Sequence, residues 1–200
     1  MSERARAPWR AAALTLLAGL AIGAGTCFGQ GRLDGTANAL VNSVSAWLVA
    51  PFVAGALVAT RRGAVAAGLT VAVLEVAGYY ATAGLRGFAN GPLLIIFWLL
   101  CGVVGGPLFG LAGRVWRGGD RRERGLGGAL LPAAFAAEGL WLYLHEQDDP
   151  RRVGLWLAIA AACAAVLLRR PAERRWLAPA LACALLGEAA LTGVTTHMYF

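Results

Sequence analysis

Three glutamates lie in stretches otherwise made of apolar residues. Glu75 is inside LTVAVLEVAGYY (69–80), Glu138 inside AAFAAEGLWLY (133–143) and Glu188 inside LACALLGEAALTG (181–193). Each follows an arginine-bearing turn at almost the same distance: 13 residues from Arg62 to Glu75, 14 from Arg124 to Glu138 and 13 from Arg175 to Glu188. A carboxyl group in such surroundings can hold a cation, exchange a proton or accept hydrogen bonds from a polar solute. Ionisable residues inside membrane helices point to function by default. The same groups, kept neutral and hydrogen-bonded to neighbouring helices, would instead fix helix register.

Helical spacing supplies companions. Tyr79 follows Glu75 by four residues, Thr192 follows Glu188 by four, and Trp141 follows Glu138 by three. Asn38, Asn42 and Ser45 share one face of a preceding helix, while Tyr80, Asn90, Trp98, Tyr143 and His145 belong to the same end of their helices. Together they suggest a polar chamber whose binding residues are Glu75, Glu138, Glu188, Asn42, Ser45, Tyr79, Trp141 and Thr192.

The elements that must position these side chains follow from composition. The 200-residue chain is 58% hydrophobic and 14% charged, with a mean hydropathy of +0.62. A soluble domain carries about a quarter charged residues. The apolar residues fall in long blocks, and a bilayer core ~30 Å thick needs ~20 residues of helix. The reading is an all-α, polytopic transmembrane bundle forming one domain over residues 1–200. Seven helices are expected, roughly at 11–29, 39–60, 64–83, 92–113, 126–145, 153–168 and 176–195.

Every one of the 18 basic residues is arginine. With the N-terminus in the cytoplasm, Arg4, Arg6, Arg10, Arg61, Arg62, Arg114, Arg117, Arg121, Arg122, Arg124, Arg169, Arg170, Arg174 and Arg175 fall on the inner side. Arg32, Arg86, Arg151 and Arg152 fall on the outer side. This is the positive-inside pattern, and it explains the net charge of +7 better than nucleic-acid binding does. The basic turn GDRRERG (119–125) suits anionic lipid headgroups. The first apolar run reads as an uncleaved helix rather than a signal peptide, being nearly a full span long. The location implied is a bacterial cytoplasmic membrane, crossed several times, with the lipid bilayer as the main partner.

A helix rises ~1.5 Å per residue, so 13 residues cover ~20 Å. All three glutamates then reach one layer in the outer half of the membrane. Matching turns, including PFVAGALVATRR and PLFGLAGRVWRGGDRR, read as copies: one leading helix followed by three helical hairpins.

Other chemistries lack their residues. Cys27, Cys101, Cys163 and Cys183 form no C-x-x-C pair and suit buried packing. His145 and His197 have no ligand-spaced acids beside them, so no metal and no cofactor are expected. No serine sits in G-x-S-x-G, and no lysine is present for a phosphate loop. An enzyme is not expected. Gly19 with Gly23, and Gly102, Gly106 and Gly110, mark close helix packing within the chain. The tryptophans suit interfacial anchoring.

The segments NSVSAWLVAPFVAGAL (42–57), GPLFGLAGRVWR (106–117) and AEGLWLY (137–143) resemble a group of small actinobacterial integral membrane proteins known under a domain-of-unknown-function label. That resemblance covers most of the chain, implies a multi-helix inner-membrane protein and carries no catalytic residues with it. The chain is also similar, more weakly, to the substrate-binding subunits of energy-coupling-factor vitamin transporters. Those are helical, of this length, and bind solute near the outer face. From the residues, the favoured function is binding or transport of a small polar solute or cation through the glutamate chamber. The alternative is an accessory or scaffold membrane protein whose glutamates are structural.

Overall fold

The computed structural model describes residues 7–88 and 91–199, with side chains described over 16–88 and 91–197. The side chains of Arg4, Arg6, Trp9, Arg10 and Asn90 lie outside these. The described residues are helical with no strand. In chain order the elements are α1 (Ala7–Gln30), α2 (Gly35–Val41), α3 (Val44–Trp47), α4 (Val49–Leu57), α5 (Arg61–Leu85) and α6 (Pro92–Gly118). Then come α7 (Arg121–Glu138), which runs on as a π-helical segment (Gly139–Glu146), α8 (Pro150–Leu167), α9 (Pro171–Arg174) and α10 (Leu177–Tyr199).

Among the described residues, five helices are long and apolar enough to cross a membrane. A sixth crossing forms if the bent pair Gly35–Val41 and Val44–Leu57 counts as one. Seven were expected. The described apolar part of α1, Leu16–Gln30, is shorter than a span, and the second expected helix, 39–60, is not continuous. It starts earlier, at Gly35, and bends by 44°. The break has a local cause: Ser43 is extended (φ −68°, ψ 123°), and its hydroxyl accepts from the Ala46 N–H, capping the next turn. A side chain that serves as an N-cap ends one helix and begins another.

The helices outrun the apolar blocks at the arginine-rich end. Arg61, Arg62, Arg114, Arg117, Arg121, Arg122 and Arg124, expected in turns, lie inside α5, α6 and α7. Their long stems let the charge reach past the apolar run while the backbone stays helical. Two of them tie down α4: Arg117 donates to the Ala56 carbonyl at 3.1 Å, and Arg114 to the neighbouring Ala59 carbonyl at 2.8 Å. Asp120 caps α7 reciprocally with Glu123, and Glu123 also pairs with Arg61. The starts of α5, α7 and α10 and the ends of α4, α6 and α8 therefore share one end. Arg32, Arg86, Arg151 and Arg152 stand at the other.

α5 packs on α1 and α6, α4 lies across α5 and α6, and α7 joins this half to α8 and α10. Glycines set the closest approaches. A Cβ on Gly55 of α4 would overlap the backbone of Gly110 on α6, and one on Gly68 of α5 would overlap that of Gly106. A Cβ on Gly23 of α1 would meet the Glu75 carbonyl. The small residues thus pack helices within the chain, as expected. A second core joins α4, α6, α7 and α8 through Phe52, Phe109, Leu131, Phe135 and Trp156.

Two expectations about side chains change. Trp156 is not an interfacial anchor. It is fully buried against Tyr143, because α8 is packed on the π-helical turn. The cysteines are free, but only Cys27 is buried; Cys101 and Cys163 are half-buried and Cys183 is exposed.

Candidate functional site

A cavity of about 230 Å³ opens between the broken α2–α4 segment, α5 and α6, beside the last residue of α1. Its lining includes Glu75, Asn42, Tyr79, Tyr80, Trp47 and Trp98. The rest of the wall is largely aliphatic. Glu75 is 1% exposed, and its Oε1 atom has no hydrogen-bond partner. Leaving a buried polar atom unpaired costs about 1–3 kcal/mol, so an orphaned carboxyl oxygen at a cavity wall calls for an explanation. Among the described residues, no ion pair involves Glu75, Glu138 or Glu188.

The rim of the cavity is a hydrogen-bonded amide cluster. The Tyr79 hydroxyl donates to Gln30 Oε1 at 2.5 Å, and the Gln30 amide donates to Asn42 Oδ1 at 2.5 Å. Asn42 in turn donates to the Asn38 carbonyl and side-chain oxygens, and Asn38 donates to the Gln30 and Leu33 carbonyls. The cluster exists because α1 ends at Gln30 just where α2 turns back. Gln30 carried no sequence signal of its own; only its position as the last residue of α1, facing the Asn38–Asn42 face, could have found it.

Glu138 is placed differently. It is 1% exposed, and its Oε2 atom accepts from the Ser43 hydroxyl at 2.8 Å and the Ser45 N–H at 2.9 Å. It therefore holds the break in the α2–α4 segment from the α7 side. A carboxyl group at the first N–H groups of a helix is also favoured by the helix dipole. Ser45 is buried in this contact and does not line the cavity, whereas Ser43 touches both. Ser43 was not singled out from the sequence, where Asn38, Asn42 and Ser45 share one face only if the helix is unbroken.

Glu188, on α10, is half-buried and close enough to Glu138 for like charges to act on each other. Tyr143 lies within electrostatic reach of both. Trp141 packs at a tilt of 52° against His145, with ring centroids 4.9 Å apart. The Thr192 carbonyl accepts from the hydroxyls of Thr195 and Thr196. Of the eight residues selected from sequence, then, Glu75, Asn42 and Tyr79 meet at the cavity. Ser45 and Glu138 pair behind its wall, with Glu188 beyond them. Trp141 and Thr192 are not part of the cavity lining. Among the described residues, no group of three His, Cys, Asp or Glu side chains could hold a metal ion.

Membrane-length apolar helices around a cavity floored by a buried acid are compatible with an integral membrane protein. A family model described as a family of unknown function, DUF6518, matches residues 2–198. The chain belongs to that family. Comparison with curated proteins finds no match, and neither does comparison with solved structures.

Proposed function

We propose that the protein binds a small solute in the Glu75 cavity, as the recognition step of transport or capture from the outer side of a bacterial cytoplasmic membrane. The observation that carries this is Glu75 Oε1, buried and without a hydrogen-bond partner at the wall of a cavity about 230 Å³ in size. Asn42, Tyr79 and Gln30 supply amide and phenol groups at the rim. Glu138 and Glu188 stand behind the wall as its support, the role the scaffold reading gives to all three acids. The similarity to energy-coupling-factor binding subunits, an actinobacterial origin and descent of the hairpins from one repeat belong to the same reading. Supporting the last, α5, α7 and α10 each begin at the arginine end and carry one of the glutamates.

Dicyclohexylcarbodiimide, an apolar reagent that converts carboxylic acids in apolar sites to N-acylureas, tests the cavity. In the folded protein, peptide mapping should find the adduct on Glu75 and not on Glu138, and Glu75→Gln should abolish it. If Glu75 reacts only after denaturation in SDS, the cavity is closed to solutes and the proposal is wrong.

Orientation has its own check. In a cysteine-free chain, single cysteines in 145–152 should react with an impermeant maleimide in intact cells. Reaction only after lysis would reverse the assigned sidedness.

A further inference from the structure

We infer that the solute is an organic monocation of the quaternary-ammonium type, an inference that rests on the Glu75 cavity being a solute site. Three observations on the lining select this chemistry. First, among the described residues its lining holds one carboxyl group and no arginine or histidine. An amino acid, an organic acid or a phosphate would bring a negative charge with nothing to meet it. An uncompensated charge out of water is costly.

Second, the walls are aromatic. Trp47, Tyr79, Tyr80 and Trp98 all line the cavity. The Trp47 and Tyr79 ring centroids are 6.0 Å apart at 59°, and those of Tyr79 and Tyr80 are 5.0 Å apart at 83°. Tilted rings lining one cavity can turn faces as well as edges to its contents, and ring faces attract cations most strongly where water is excluded. Third, the amide oxygens of Gln30 and Asn42 already accept hydrogen bonds within the rim, so the one carboxyl group is left far short of the six to eight oxygen ligands that calcium takes, or the octahedral shell of magnesium. A hydrated metal ion would also leave the aromatic wall unused. A cavity of about 230 Å³ lies just below the range of ~300–1,000 Å³ usual for ligand pockets, so the cationic group is small.

The source of such a group is either a free quaternary-ammonium solute or a lipid headgroup, and the test separates them. The full chain in detergent is titrated with choline, with its neutral carbon isostere neohexyl alcohol, with the anion tert-butylacetate, and with phosphocholine, following tryptophan fluorescence. Choline should bind at least about tenfold more tightly than neohexyl alcohol, and tert-butylacetate should not bind. A tenfold preference corresponds to about 1.4 kcal/mol. Glu75→Gln should lower choline affinity by about tenfold or more, and Trp98→Leu by about threefold to tenfold.

Should Glu75→Gln fail to fold, Trp98→Leu and the ligand series still decide. Phosphocholine binding as tightly as choline identifies a lipid headgroup; choline binding alone identifies a free quaternary-ammonium solute. Equal binding of neohexyl alcohol, or tighter binding of tert-butylacetate, overturns the cation while leaving a solute cavity. No binding of any probe also overturns it. In that case carbodiimide reaction at Glu75 in the folded chain keeps the cavity reading, and its absence removes both.

Discussion

Glu138→Leu should destabilise the protein by about 3 kcal/mol or more, because it strands two buried donors, each worth about 1–3 kcal/mol when unpaired. The Ser43 hydroxyl and the Ser45 N–H both end on Glu138 Oε2. Leucine fills the volume and accepts neither. Glu138→Gln keeps an acceptor oxygen of the same reach and should stay within about 1 kcal/mol of the parent, since membrane hydrogen bonds between helices contribute only about 1 kcal/mol. Thermal unfolding in one detergent, followed by tryptophan fluorescence, gives both values. In a Ser43→Ala background the penalty of Glu138→Leu should shrink, because one of the two stranded donors is already gone. A leucine variant as stable as the glutamine one would remove the idea that this acid holds the break.

Gly55→Val should be comparably damaging for a steric reason. The added Cβ would lie on the Gly110 backbone, and neither helix can withdraw: Gly110 itself faces the Ala64 carbonyl of α5, and Gly113 the Phe52 carbonyl of α4. Overpacking of this kind costs typically about 1–3 kcal/mol and more where backbone must move, so a loss near about 3 kcal/mol or failure to accumulate is expected. Two controls carry the opposite sign or none. A Cβ on Gly102 meets Ala72 at 3.5 Å, an ordinary contact, and one on Gly25 meets nothing within 4 Å. Gly102→Ala should not destabilise, since the helix-propensity gain meets only an ordinary contact. Gly25→Ala should gain up to about 1 kcal/mol from helix propensity. Size-exclusion profiles with a fluorescent tag, read after heating, rank all three.

The apolar blocks locate the long helices α5, α6, α7, α8 and α10 but not the broken α2–α4 segment or the arginine-rich helix ends, because crossing length is a one-dimensional property of a chain and a helix break is not. Glu75 was legible for the same reason, as a charge type in the wrong company. Its company with Tyr79 follows from helical spacing, and with Asn42 from both lying toward the same end of their helices. The break at Ser43 was not legible, because serine is tolerated inside helices and nothing local distinguishes a capping serine from one facing a neighbour. Once the helix breaks, the shared face of Asn38, Asn42 and Ser45 divides, with the asparagines going to the cavity rim and Ser45 to Glu138. Trp156 was misread because tryptophan near a helix start is usually interfacial; its burial depends on α8 packing against the π-helical turn, a tertiary event. Glu188 is expected from its spacing to Arg175 to lie level with the other two, but spacing leaves direction around the helix axis open, and α10 brings it within electrostatic reach of Glu138.

Ser43 has one consequence for how the two halves of the molecule communicate. The residue lines the cavity, and its hydroxyl is the donor that Glu138 holds from the opposite half. Any guest that pushes this residue aside must loosen the tether to α7, and any rearrangement around Tyr143 and Glu188 that pulls on the tether must reshape the wall. Thermodynamic reciprocity then makes the traffic two-way: whatever the distant half does to the guest's grip, the guest does in equal measure to the distant half.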